Sequence, residues 1–109
     1  MVTILNTSIL TEYGDYSYRS ISLEQAREMV ADGFQSAIGH ESTAKIISTL
    51  LGIECLVNRI QYSQKVGDFV LVFKLNGRPE EGKILSIEDI EKIGYSWGEL
   101  LRGLDGTIR

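Results

Sequence analysis

The stretch of this chain that most restricts its fold is an unbroken apolar run, Phe69-Val70-Leu71-Val72-Phe73. Successive side chains of a β-strand point to opposite faces, so a strand made of this run is apolar on both of them. Strands of this kind lie in the interior of a sheet, and the run is far too short to cross a bilayer. It therefore predicts a central strand within residues 68–75.

Strand-like and helix-like segments occupy the rest of the chain. Strands are predicted at residues 2–5, 16–21 and 55–62, the last of which a turn at residues 63–67 joins to the central strand. Helices are predicted from Ser22, over residues 42–51 and from Ser86, because the apolar residues recur at helical spacing and a glycine follows each segment. Residues 96–101 fit a short helix or an edge strand. The expected fold is a single α/β domain over residues 1–109, with a mixed sheet of four to five strands flanked by helices.

Composition limits the classes of function. The 109 residues include 11 basic and 15 acidic side chains, a formal charge of −4, whereas proteins that coat duplex DNA are normally basic. Cys55 and His40 are the only residues of their types, which excludes a disulfide within the chain and the usual zinc site. The amino terminus has no secretory signal pattern, so we expect a cytoplasmic protein without a membrane partner. The negative net charge leads us to expect no duplex DNA partner.

The most informative segment is Ile38-Gly39-His40-Glu41-Ser42-Thr43, in which the single histidine stands where the second helix begins. The free N–H groups at the start of a helix bind phosphate, and a glycine lets the backbone approach a ligand closely. An imidazole beside a bound phosphate could protonate a leaving oxygen. The alternative is a surface histidine next to a helix N-cap, and spacing alone favours this alternative.

A second candidate segment spans residues 76–83 and nearly matches the P-loop pattern. Ile84 replaces the Ser or Thr that the pattern needs for magnesium, and two glutamates within the loop would repel phosphate, so we reject that interpretation. In its place, Arg78 could hold a phosphate in a forked contact, while Glu81 could orient Arg78 or help a hydroxyl to lose its proton. The alternative is a solvated, charged turn.

Two further sites contribute candidate ligand-binding residues. Arg59 follows Asn58 within an apolar segment, so its side chain must reach an edge, solvent or a pocket. Asn6-Thr7-Ser8 comes directly after the first strand, where open α/β sheets bind ligands. The alternatives are an edge charge that discourages aggregation and an ordinary polar turn.

Taken together, residues 38–43, Asn58-Arg59 and residues 78–85 resemble the small viral ring nucleases that act as type III anti-CRISPR proteins. The resemblance covers nearly the whole chain, in order and at similar spacing. It implies a homodimer that binds cyclic tetra-adenylate in a pocket shared by both subunits. It also implies cleavage, without metal or cofactor, into linear di-adenylates that end in a 2′,3′-cyclic phosphate. A viral member would act in the cytoplasm of the host cell.

The resemblance also assigns roles to individual residues. His40 and Glu81 correspond to catalytic positions, and Arg78 and Arg59 to ligand-binding arginines. Gly39, Asn6 and Ser8 complete the expected ligand-binding set, although the family's archaeal members have one more residue between the asparagine and the serine. Pro79 replaces a more usual leucine, which stiffens the loop and leaves its charges unchanged.

Two other functions are compatible with the residues. One is a module of the same fold that binds a cyclic nucleotide or a protein without turnover. The other is a small regulatory protein that binds DNA, and the negative net charge and the absence of a basic helix weaken that hypothesis.

Overall fold

A computed structural model describes residues 2–7, 10, 12–77 and 86–103 of the chain. The described part contains five strands and three helices. The strands are β1 (Val2–Leu5), β2 (Tyr16–Ile21), β3 (Phe34–Ser36), β4 (Phe69–Leu75) and β5 (Tyr95–Arg102), and the helices are α1 (Leu23–Val30), α2 (Glu41–Leu51) and α3 (Ile87–Ile93). They form one compact α/β domain with a mixed sheet, as the sequence predicts.

The strands lie in the order β2-β5-β4-β1-β3. β1 is parallel to both of its neighbours, with Ile4 opposite Ser36 of β3 and Leu5 opposite Val72 of β4. β5 is antiparallel to both β4 and β2. The carboxyl ends of β1, β3 and β4 therefore meet at one end of the sheet, where open α/β sheets place their ligands.

The two faces of the sheet are buried differently. The three helices pack on one face, against Ile4, Leu71, Phe73 and Trp97, and make the larger of two apolar clusters. The opposite face carries a smaller cluster of Leu5, Val70, Val72 and Leu100, against which Tyr16, Ala37 and Tyr62 pack. Because β4 contributes buried side chains to both clusters, its predicted interior position is confirmed.

Local sequence signals set the helix boundaries. The Ser22 hydroxyl accepts the N–H of Gln25, whose side chain in turn accepts the N–H of Ser22, and Ser86 and Asp89 repeat this reciprocal cap. α2 ends at Gly52 in the left-handed conformation, with φ of 68°. All three predicted helices are confirmed.

Two expectations about the strands need correction, and one strand was missed. Residues 55–62, predicted as a strand, form an irregular segment beside β3, with Leu56 63% exposed. The three-residue strand β3 was not predicted, since it is too short to show a period. Residues 96–101, for which helix and edge strand were both open, belong to β5, which is paired on both sides and is therefore not an edge.

No helix in the described part of the chain combines the length and the apolar character that a membrane span requires.

Candidate functional site

The candidate site lies at the end of the sheet where the parallel strands finish. Asn6 follows β1, the connection from Ala37 to His40 follows β3, and Asn76 follows β4. The N–H of Ala37 donates to the carbonyl of Ile4 at 3.0 Å, which continues the β1–β3 register toward Asn6. Because Val72 pairs with the last residue of β1, β4 extends three residues, roughly 10 Å, beyond it.

His40 occupies the N-cap position of α2. Its backbone is extended, with φ of −122° and ψ of 131°, and its carbonyl accepts the N–H of Ala44 at 3.0 Å. Its imidazole makes no capping hydrogen bond, and the residue is exposed. The helix therefore presents its first N–H groups, and the positive end of its dipole, beside an accessible imidazole.

Arg59 lies next to this histidine. Its Nε donates to the carbonyl oxygen of Gly39 at 2.9 Å, which is the carbonyl of the Gly39–His40 peptide bond. The aliphatic part of the side chain crosses Gly39 closely, since a Cβ at that glycine would lie 3.7 Å from Cγ of Arg59. The fold thus brings together Arg59, Gly39 and His40, three residues that the motif resemblance assigned to the site.

The position of Arg59 depends on how residues 55–59, here called the 55–59 segment, attach to the chain after β3. The hydroxyl of Ser36 donates to the carbonyl of Leu56 at 2.6 Å, and the side-chain amide of Asn58 donates to the carbonyl of Ser36 at 2.8 Å. The backbone N–H of Asn58 donates to the carbonyl of Ile38 at 2.8 Å. Side-chain donors supply two of these three bonds, so this segment is attached largely without a β-ladder.

The start of the same segment is tied to α2. The Ser48 hydroxyl accepts the N–H of Cys55 at 2.8 Å and lies 2.8 Å from the carbonyl of Ala44, to which it donates. Burial raises the pKa of the Cys55 thiol, while a side-chain hydrogen bond with Ser36 opposes this shift. Cys55 is thus a buried free cysteine whose environment disfavours the thiolate form.

The remaining predicted site residues divide into two groups. Asn6 stands at the correct end of the sheet and is partly buried. Ser8, Arg78 and Glu81 lie outside the described residues. Ser36, which sequence reasoning missed, attaches the 55–59 segment; its only sequence signal is a hydroxyl residue between apolar ones, which is common in proteins.

Charge near the imidazole comes mainly from exposed side chains. Glu41, in the first turn of α2, lies 3.5 Å from Nζ of Lys45, and both side chains are more than two-thirds exposed. A pair of this kind is largely screened by solvent and contributes little to stability. Among the described residues, no three His, Cys, Asp or Glu side chains are grouped as metal ligands would be.

A separate cavity of about 490 Å³ lies at the opposite end of the sheet, before β2 begins. The described residues that line it are Leu10, Glu12, Tyr13, Gly14 and Tyr16. Of the predicted site residues that the structure describes, none is among these lining residues.

Comparison with known proteins identifies the family to which this arrangement belongs. The family model described as STIV B116-like matches residues 2–97 of the chain. The chain belongs to the STIV B116-like family. This membership confirms the prediction, made from the motifs, that the chain belongs to a family of small viral proteins.

Relatives of this STIV B116-like chain occur in archaeal viruses and in a bacterium. Uncharacterized protein 26 of Sulfolobus islandicus filamentous virus is 36% identical over 102 residues, which cover 88% of this chain and 86% of the relative. Uncharacterized protein YddF of Bacillus subtilis is 32% identical over 104 residues, which cover 93% of this chain and 96% of the relative.

A solved structure shares the fold. B116 of Sulfolobus turreted icosahedral virus matches with a TM-score of 0.83 and 25% sequence identity, covering 93% of this chain and 98% of that chain. This chain and B116 therefore share one overall fold.

Proposed function

We propose that this STIV B116-like protein is a metal-independent ring nuclease that binds cyclic tetra-adenylate. In this proposal it cuts the ring into linear di-adenylates that end in a 2′,3′-cyclic phosphate, and so counters type III CRISPR signalling. The observation that carries the proposal is the bond from Arg59 to the Gly39 carbonyl, which brings a guanidinium to within one peptide of an exposed His40 at the amino end of α2.

The chemistry requires little from the protein because the substrate carries its own nucleophile. A ribose 2′-hydroxyl attacks the adjacent phosphorus, the phosphorus–5′-oxygen bond breaks, and the departing oxygen takes up a proton. The protein holds the attacking, phosphorus and leaving atoms in line, and His40 supplies that proton as the general acid. Arg59, Arg78 and the N–H groups of α2 offset the charge on the phosphate oxygens. Glu81 orients Arg78 or assists deprotonation of the hydroxyl.

Several features of the described residues support these roles. The imidazole is exposed and takes no part in capping the helix, so it is accessible to a ligand. The Arg59 guanidinium contacts Gly39 through Nε, and its two terminal nitrogens take no part in that bond. Asn6 follows β1 at the same end of the sheet, and Gly39 adds no side chain that would separate a ligand from the backbone.

We further propose that the protein acts as a homodimer. A ring of four identical nucleotides can present the same phosphate link to two equivalent sites across a two-fold axis. Each subunit then contributes one His40 and one set of arginines to a shared pocket, which concentrates positive charge despite the chain's net charge of −4.

The test is an assay of the pure protein with labelled cyclic tetra-adenylate in EDTA, with the products separated over time. The native protein is expected to yield di-adenylate with a cyclic phosphate. His40→Ala is expected to slow cleavage about a hundred-fold or more while it retains binding, since it removes the general acid alone. Thr49→Ala, an exposed position two turns further along α2, is the matched control and is expected to cleave at the native rate.

Three outcomes would contradict the proposal in different ways. Tight binding by the native protein without any product would identify a sequestering module instead. Absence of binding would remove the ligand assignment altogether. A strict monomer at micromolar concentration by light scattering would contradict the shared pocket.

A further inference from the structure

The amide of Asn58 connects two parts of the chain that the candidate site needs side by side. Its Nδ2 donates to the carbonyl of Ser36 at 2.8 Å, and its backbone N–H donates to the carbonyl of Ile38 at 2.8 Å. Arg59 follows Asn58 directly in the chain. His40 stands two residues after Ile38. Asn58 therefore holds the 55–59 segment in register with the chain that leads to the imidazole.

We infer that Asn58 is a positioning residue for Arg59. This inference rests on the proposed function in so far as Arg59 contacts the ligand. An arginine side chain samples many rotamers in solution, and ordering it costs free energy when a ligand binds. With Asn58 held at two points, once through its backbone N–H and once through its side-chain amide, the Arg59 Nε meets the Gly39 carbonyl at 2.9 Å. The guanidinium is thus oriented before the ligand arrives.

The way in which the 55–59 segment is attached makes the side-chain hydrogen bond of Asn58 important for the position of that segment. Residues 56, 57 and 60 are apolar and exposed, so burial of their side chains contributes little to holding the segment in place. β3 is three residues long and cannot extend a ladder beyond Ser36. The Ser36 hydroxyl, which donates to the Leu56 carbonyl at 2.6 Å, attaches the start of the segment, and Asn58 attaches the part next to Arg59.

The chain offers a matched control at the opposite end of the sheet. The Gln64 amide Nε2 donates to the carbonyls of Asp68 at 2.7 Å and Leu100 at 3.0 Å. Gln64 therefore has the same amide group as Asn58 and likewise donates it to backbone carbonyls, but it lies at the end of the sheet away from His40. Gln64→Ala is expected to lower stability without changing the placement of Arg59.

The first measurement does not require a ligand. In a ¹⁵N-edited NMR spectrum, the Nε–H of Arg59 in the native protein is expected to exchange slowly with water because it donates to Gly39. Asn58→Ala is expected to speed that exchange at least tenfold, whereas Gln64→Ala leaves it unchanged. Unchanged Arg59 exchange in Asn58→Ala would overturn the inference whether or not the protein is a nuclease. Asn58→Ser, which keeps a small polar side chain, replaces Asn58→Ala if circular dichroism shows that the alanine variant is unfolded.

The second measurement is a double-mutant cycle on the dissociation constant for cyclic tetra-adenylate. Asn58→Ala and Arg59→Ala are each expected to weaken binding roughly tenfold, the loss of one charge-assisted contact, and the double variant no more than Arg59→Ala alone. Additive losses would show that Asn58 acts independently of Arg59 and would overturn the inference. If the native protein binds no cyclic tetra-adenylate, the proposed function fails, and the exchange measurement alone decides the role of Asn58.

Discussion

On the sheet face opposite the helices, Tyr18 lies so close to Gly98 that position 98 has no room for a larger residue. A Cβ built on Gly98 would lie 2.4 Å from Cε1 and 2.7 Å from the hydroxyl oxygen of Tyr18, which is closer than real Cβ contacts come. Tyr18 is 47% exposed, and Nζ of Lys74 lies 5.6 Å from the centre of its ring. In Gly98→Ala the ring must therefore swing into solvent.

The expected cost follows from what the ring loses. About half of the tyrosine surface is covered, which corresponds to roughly 1 kcal/mol of apolar burial. The contact with Lys74 adds about 0.5–1 kcal/mol at an exposed site. Replacing glycine by alanine within a strand returns about 0.5–1 kcal/mol, because the unfolded chain loses freedom. Gly98→Ala should therefore lower the free energy of unfolding by about 1 kcal/mol.

The refuting experiment is a double-mutant cycle with Tyr18→Ala. Without the ring, Gly98→Ala should raise the free energy of unfolding by about 0.5–1 kcal/mol, so its effect changes sign between the two backgrounds. Urea unfolding followed by circular dichroism, and by the fluorescence of the buried Trp97, measures all four proteins. If Gly98→Ala has the same effect in both backgrounds, to within about 0.5 kcal/mol, the ring does not occupy that space.

Three further predictions concern stability. Ser48→Ala should cost about 1–3 kcal/mol in urea unfolding, because the N–H of Cys55 loses its acceptor at 2.8 Å; a cost below about 0.5 kcal/mol would contradict this bond. Burial raises the pKa of the Cys55 thiol above its value in the unfolded chain, about 8.5, so the stability that the neutral thiol contributes is present below that pH and is lost as the pH rises through it. Relative to Cys55→Ala, the native protein should lose stability above that pH, and a pH-independent difference would refute this. Arg102→Leu should cost about 1–3 kcal/mol by the same unfolding assay, because the guanidinium donates to the carbonyls of Gln64 at 2.7 Å and Tyr13 at 3.2 Å; an unchanged midpoint would show that water replaces it.

The helices and the central strand were predictable because their signals are local. Ser22 and Ser86 each stand three residues before a side chain that completes a reciprocal cap, and such a cap forms within one turn of chain. The run around Leu71 is apolar on both faces, and only an interior strand buries both. These features do not depend on what the rest of the molecule does.

The 55–59 segment shows where local signals mislead. Its apolar residues are typical of a strand, yet Leu56 is largely exposed, and the segment is attached through the side chains of Ser36 and Asn58. Whether an extended segment joins a ladder depends on a partner strand of sufficient length, and β3 ends at Ser36. β5 is the reverse case, because its pairing with β2 and β4 makes a strand of a segment with little apolar alternation.

The residue types of the candidate site were readable in the amino-acid order, since a single histidine beside a glycine at a helix start is a local pattern. That pattern does not say which arginine contacts the backbone next to this histidine. Arg59 is 19 positions from His40 along the chain, and it meets the Gly39 carbonyl because the parallel strands end together and hydrogen bonds from Ser36 and Asn58 hold the 55–59 segment there. Contacts between distant parts of a chain form only when the whole fold has closed, so this proximity is a property of the packed domain and of no single stretch within it.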